Sequence, residues 1–205
     1  TALLSLVFSG ASLQDPRLQR LKSLAWLWST TNLLLALAVY NRLFIYIGYN
    51  GMTRMRTVGL FGITLVVIGF ALVLFKIRGN RSFWWLLRTQ LLAMAGAIAA
   101  YSLFPVDYVA HRYNGSRVLN GYLHPSVMIA VKPIDDEGIF PLLSLVDHPE
   151  PIIREGVLAK LADRQLQIER FSTERPWHWT RFQGVKLVLY QQLRPHESLW
   201  RHYLT

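Results

Sequence analysis

Six histidines, a run of three carboxylates and a few polar residues inside apolar stretches are the positions at which this chain could do chemistry. His111, His124, His148, His178, His196 and His202 are candidate ligands or bases. Neither HExxH nor another paired metal spacing occurs among them, so each reads as an exposed or capping histidine. All six follow the long apolar runs, which leaves no imidazole inside a span to ligate haem or a pigment. Asp135, Asp136 and Glu137 could hold a hard cation, but EF-hand ligand spacing is absent and a solvated turn before Gly138 is the expectation. The chain has no cysteine, which removes thiolate metal sites, disulfides and a cysteine nucleophile. No GxSxG, P-loop or kinase signature occurs. The sequence therefore reads as non-catalytic, with no metal and no cofactor.

The formal net charge of +10 first points to nucleic acid, because Lys and Arg neutralise phosphates. Its distribution argues otherwise. Residues 1–104 hold ten of the cations (Arg17, Arg20, Lys22, Arg42, Arg54, Arg56, Lys76, Arg78, Arg81 and Arg88) against one acid, Asp15. Residues 105–205 are nearly neutral. The excess lies in the apolar half, mostly at the ends of the runs, where cations mark membrane topology. No nucleic-acid partner is expected.

Those runs define the elements. Ser23–Asn41 with its continuation to Tyr49, Thr57–Phe75, and the stretch from Phe83 to Val106 are each long enough to cross a bilayer as a helix, which takes about 20 residues. Asn50-Gly51 and Gly79-Asn80 are turn chemistry between them. Arg54 and Arg56 after the first turn, Arg78 and Arg81 around the second, and Trp84 and Trp85 read as interface or lipid anchors. Two topological anchors at Arg54 and Arg56 are expected to tolerate lysine. Gly59, Gly62, Gly69, Gly96 and Ala100 are candidate helix-packing positions. The polar residues of the runs, Asn32, Asn41, Arg42, Arg88 and Gln90, include no carboxylate and no histidine for a proton relay.

After Pro105 the composition is that of an extramembrane domain. "DYVAHRYNGSRVLNGYL" predicts an amphipathic helix, and "GIFPLLSLVDHPEPIIREGVLAKLADR" two helices joined at Asp147–Pro151, with Asp147 available as a cap. Ile153, Val157 and Leu161 give the second of these an apolar face. "PWHWTRFQGVKLVLYQQL" fits strand alternation and helical spacing alike; helix is the preferred reading. The domain plan is a segment 1–22, which reads as the end of a preceding span, a three-helix transmembrane region 23–106 and a helical domain 107–205. The fold class is an all-α membrane protein.

Four of these stretches resemble a bacterial multi-pass membrane family known by a domain-of-unknown-function label, DUF4153/DUF4173-like. "YIGYNGMTRMR" is similar to its Tyr/Gly-Thr-x-x-Arg hairpin, and "DYVAHRYNGSR" to its Asp…Ala-x-x-Tyr-Asn-x-x-Arg segment. "GYLHPS" with "IFPLLSL" resembles its Tyr-Leu…Pro-x-Leu stretch, and "PWHWTRFQGVKLVL" its Trp-rich terminal helix. The stretch "VMIAVKPIDDEG" departs from the pattern. The resemblance implies a fold, with spans upstream of this segment, and no mechanism.

The function expected is an accessory or structural subunit of a larger membrane complex, of respiratory or photosynthetic type, with membrane lipids and other integral membrane subunits as partners. The alternative is the C-terminal part of a multi-pass transporter or membrane sensor. The location expected is the bacterial inner membrane. Seven cations around the Gly79-Asn80 turn and before the first span stand against five at Arg42, Arg54, Arg56, Arg112 and Arg117. By the positive-inside rule the C-terminal domain then lies outside the cytoplasm.

Overall fold

Uncharged apolar stretches of the lengths found here satisfy their backbone polar groups only as helices in a bilayer, and helices are what form. The structure, a computed structural model, describes residues 19–79, 81–174 and 184–203. Three long helices come first: α1 (Gln19–Asn50), α2 (Arg54–Arg78) and α3 (Phe83–Leu103). Windows Trp26–Asn50, Arg54–Arg78 and Phe83–Leu103 are long and apolar enough to cross a membrane. Then follow α4 (Val106–Leu119), α5 (Ser126–Val131), α6 (Asp136–Ile139), a 3-10 turn at Phe140–Leu145, α7 (Pro151–Glu174) and α8 (Gly184–Leu193). Two further 3-10 turns, Arg194–Leu199 and Arg201–Tyr203, end the described chain. No strand occurs among the described residues, so the class is all-α.

The described residues divide into two units. One contains residues up to Ile45 together with Met55–Phe104; the other contains Tyr46–Arg54 and the residues from Pro105 onward. The connection between α1 and α2 thus groups with the C-terminal part of the chain.

In the first unit, polar side chains of the spans satisfy themselves on the preceding turn, as hydrocarbon surroundings require. Thr30 and Thr31 donate to the carbonyls of Trp26 and Leu27 at 3.0 Å, and Asn32 Nδ2 donates to Trp28 O at 2.7 Å. Tyr40 and Thr64 pair their hydroxyls at 2.6 Å, joining α1 to α2. Ser82 caps α3 by accepting from the Trp85 N–H at 3.2 Å.

The second unit has its own apolar core. Val118 from α4, Ile129 from α5, Leu142 and Leu145 from the 3-10 turn, Val157 and Leu161 from α7 and Leu189 and Leu193 from α8 are all buried, with Trp200 closing the end. The apolar face predicted for α7 is the face that enters this core. Trp200 carries its indole N–H inside and donates it to Gln165 Oε1 at 2.8 Å; Gln165 Nε2 in turn donates to Glu169 and Glu197. A buried indole needs such a partner. At the start of α7 the ring of buried His148 accepts the Glu150 N–H through Nδ1 at 3.1 Å, which puts the imidazole proton on Nε2. Asp147, offered for capping by the sequence, is exposed. The segment Gly184–Leu193 is helical, while "PWHWTRFQ" lies outside the described residues.

Candidate functional site

Asp107 is the only carboxylate between Asp15 and Asp135, and the second unit is tied together around it. It stands in the first turn of α4, where a negative charge suits the unpaired N–H groups and the helix dipole. Its side chain is 4% exposed and ion-paired with Arg54. Arg54 Nε donates to Oδ1 at 3.2 Å and Nη2 to Oδ2 at 2.7 Å, the two-pronged geometry that guanidinium allows and ammonium does not. Asp107 Oδ2 also accepts the main-chain N–H of Asp135 at 2.8 Å. Arg54 Nη2 reaches the Asp135 carboxylate as well. Glu137 closes the ring: its Oε1 accepts the Asp107 main-chain N–H at 3.1 Å. The acidic run is therefore not an isolated solvated turn. Asp135 and Glu137 serve the start of α4, and Asp136 pairs with Arg164 of α7 at 3.3 Å.

One helical turn along α4 lies His111, buried, with no partner for Nδ1 among the described residues. Gly138 packs against both groups: a Cβ there would fall 2.9 Å from Asp107 Cβ, 2.9 Å from His111 Cδ2 and 2.6 Å from Ile134 Cγ2. Burial holds the His111 imidazole below its ordinary value; Asp107 opposes this, and Lys160 and Arg54 reinforce it. The sign follows from linkage. The unfolded chain takes up this proton near pH 6.5 and the folded chain does not, so stability contributed here is complete above about pH 6.5 and falls as pH drops below it. His111→Phe keeps the ring and removes the titration. Its thermal midpoint in detergent is expected to fall less between pH 7 and pH 5.5 than that of the parent; equal slopes would refute the assignment.

Two turns beyond Asp107 stands Asn114, fully buried. Its amide reads the backbone of Met52 on both sides: Oδ1 accepts the Met52 N–H at 2.6 Å and Nδ2 donates to Met52 O at 2.9 Å. Gly51 makes room for it. Gly51 has φ +83°, and a Cβ there would lie 2.5 Å from Asn114 Oδ1 and 3.0 Å from Pro125 Cβ. Further along, Arg117 donates through Nη2 to Gly48 O at 2.9 Å while lying 4.4 Å from the Tyr122 ring centroid. The Tyr122 hydroxyl donates to Tyr49 O at 2.9 Å. Carbonyls at the C-terminal end of α1, which lack helical partners, are thereby satisfied, with a cation at the negative end of the dipole.

The sequence-predicted positions distribute as follows. Arg54 enters this site and is engaged within the chain. That geometry replaces the expectation of lysine tolerance at this position. Arg54→Lys is expected to cost about 1–2 kcal/mol, since one of two parallel bonds is lost, whereas Arg78→Lys, on an exposed side chain, should stay within about 0.5 kcal/mol. Thermal unfolding of the two variants side by side checks this. Arg56 is half-buried; Arg78, Arg81 and Trp84 are exposed, and Trp85 is half-buried. A Cβ placed at Gly59 would lie 3.6 Å from Leu43 Cδ2, while among the described residues nothing lies within 4 Å of one placed at Gly62, Gly69 or Gly96. Ala100 is exposed. Residue type and spacing do not single out Asp107, Asn114 and Arg117, although "YIGYNGMTRMR" and "DYVAHRYNGSR" contain both halves of the contact.

Three helices fit to span a bilayer and a helical unit closed around an Arg54–Asp107 pair define an integral membrane protein. The chain belongs to the family described as Domain of unknown function (DUF4153), whose model matches residues 1–131. That match contains Arg54, Asp107, Asn114, Arg117 and Tyr122; Asp135 and Glu137 lie beyond it. No curated protein and no solved structure matches the chain.

Proposed function

We propose that the chain is a non-catalytic integral membrane component, an accessory or structural subunit of a larger membrane assembly. The observation that carries this reading is an open cavity of about 690 Å³ in the first unit, walled by all three spans. Leu33, Val66, Phe70 and Met94 make it apolar, and Gly69 lies in its wall with open space beyond its Cα. Helices in lipid associate through close packing and interhelical hydrogen bonds, and an apolar hollow with a glycine in its wall accepts the side chains of a further helix. The Asp107 site supports the same reading from the other unit, because its carboxylates and amides are engaged with one another and hold main-chain segments in place.

Native purification with cross-linking and mass spectrometry of co-purifying subunits tests the proposal. Gly69→Leu, which projects a side chain into the cavity, should lower partner recovery severalfold; a chain recovered without partners, and unaffected by Gly69→Leu, would sink the idea. The second reading, the C-terminal part of a multi-pass transporter or sensor, draws on Ser29, Asn32 and Gln90 in the cavity wall. A solute that raises thermal stability in the parent and not in Gln90→Leu would favour it. For orientation, the cation count puts the C-terminal unit outside the cytoplasm, and cysteine labelling at Ser198 from outside tests that placement.

A further inference from the structure

We propose that residues 119–131 form an in-plane contact with the membrane interface, with Leu119, Leu123, Val127 and Val131 entering the boundary between headgroups and acyl chains. These four side chains are 51%, 41%, 49% and 70% exposed. In α5 the arrangement is a two-faced one: Ile129 is buried in the core, whereas Val127 and Val131, four residues apart and so on one face, point away from it. Beyond its first turn, where Ile152 is exposed, the longer helix α7 presents Arg154, Asp163, Gln167 and Arg170.

Contacts inside the second unit tie this segment to the end of α1. Arg117 and Tyr122 hold the carbonyls of Gly48 and Tyr49, the last residues of a helix fit to cross the membrane. Pro125 closes on Gly51, one residue past that helix. Val127 follows two residues later. Residues 117–125 are thereby tied, within the second unit, to the C-terminal end of that helix.

Charge selects lipid over a protein surface as the occupant. From Arg112 to Lys132 the chain carries Arg112, Arg117, His124 and Lys132 and no acid. Arg112, His124 and Lys132 are exposed. Apolar side chains with a basic rim are the chemistry of interfacial helices at anionic headgroups. Tyr122, with its hydroxyl already bonded, adds an aromatic ring of the kind enriched at that depth.

The chain is free of cysteine, so the test uses the full chain with one cysteine at Val127→Cys or Val131→Cys, each carrying an environment-sensitive fluorophore. Asp163→Cys on α7 is the water-facing control, and Leu123→Cys is an independent third position should either helical variant fail to reconstitute. The chain is placed in vesicles of phosphatidylcholine and phosphatidylglycerol containing lipid with a nitroxide near the headgroup. Labels at positions 127 and 131 should emit at shorter wavelength than the control and be quenched at least threefold more strongly by the nitroxide lipid. Emission and quenching equal to the control at both positions would overturn the proposal. So would short-wavelength emission without quenching, which assigns the surface to a protein partner or a second copy.

Discussion

Replacing Arg54 by alanine is expected to destabilise the second unit by about 3 kcal/mol, because it leaves a buried carboxylate without its counter-charge. Asp107 is 4% exposed at the side chain, so water cannot take over from the guanidinium. One main-chain donor, Asp135 N–H, would remain on it. The loss is kept near the lower end for a broken buried pair because Arg54 itself is 47% exposed and its ionic attraction is partly screened. The sign of a second substitution separates this account from a loss of packing. Asp107→Asn in the Arg54→Ala background replaces the stranded charge with a neutral amide that can still accept from Asp135. It should restore at least about 1 kcal/mol, although Asp107→Asn alone destabilises. Thermal unfolding of the four chains in one detergent measures the cycle. Additive losses would refute the ion-pair account.

The spans were legible because their signal is local. Run length and the absence of charge in residues 57–75 are read directly from the chain, and α2 forms over them. The C-terminal helices were also legible where one apolar face recurs, as at Ile153, Val157 and Leu161 on α7. The Asp107 site was not, although two short stretches hold most of its parts. "YIGYNGMTRMR" supplies Gly48, Tyr49, Gly51, Met52 and Arg54, and "DYVAHRYNGSR" supplies Asp107, Asn114 and Arg117. Each stretch has a sufficient local explanation: the first as a turn with headgroup anchors, the second as an amphipathic helix. Nothing local says that the two meet.

A signal for the pairing did exist in the charge pattern. Ten cations stand between Asp15 and Asp107, and no other acid lies among them. A single acid in so basic a stretch is a natural partner for one of those cations, and its place next to Pro105, at a helix start, marks it further. At His111 the histidine reading fails for a related reason. His111 is buried rather than exposed because Gly138, distant in sequence, packs on its ring. The stretch "PIDDEG", which departs from the family pattern, supplies Asp135 and Glu137 to the site through a main-chain N–H and two carboxylates. Main-chain donors leave no trace in residue type.

Gly51→Ala is the most informative change at the other end of the site, with an expected loss of about 3 kcal/mol. Two costs combine. An L-residue at φ +83° enters the left-handed region at about 1–2 kcal/mol. The added methyl also lands 2.5 Å from Asn114 Oδ1, so the buried amide must move off Met52 and both of its hydrogen bonds are stretched or lost. Asn114→Ala alone should cost about 2 kcal/mol, since it strands the Met52 N–H and C=O that the amide now satisfies. The double variant separates conformational strain from collision. With Asn114 already truncated, the new methyl at position 51 no longer strikes an amide, and what remains is the backbone strain and a 3.0 Å approach to Pro125 Cβ. The combined loss should therefore fall short of the sum by about 1–2 kcal/mol. Full additivity would mean that the methyl is tolerated beside Asn114 and that Gly51 is required by its backbone angle alone.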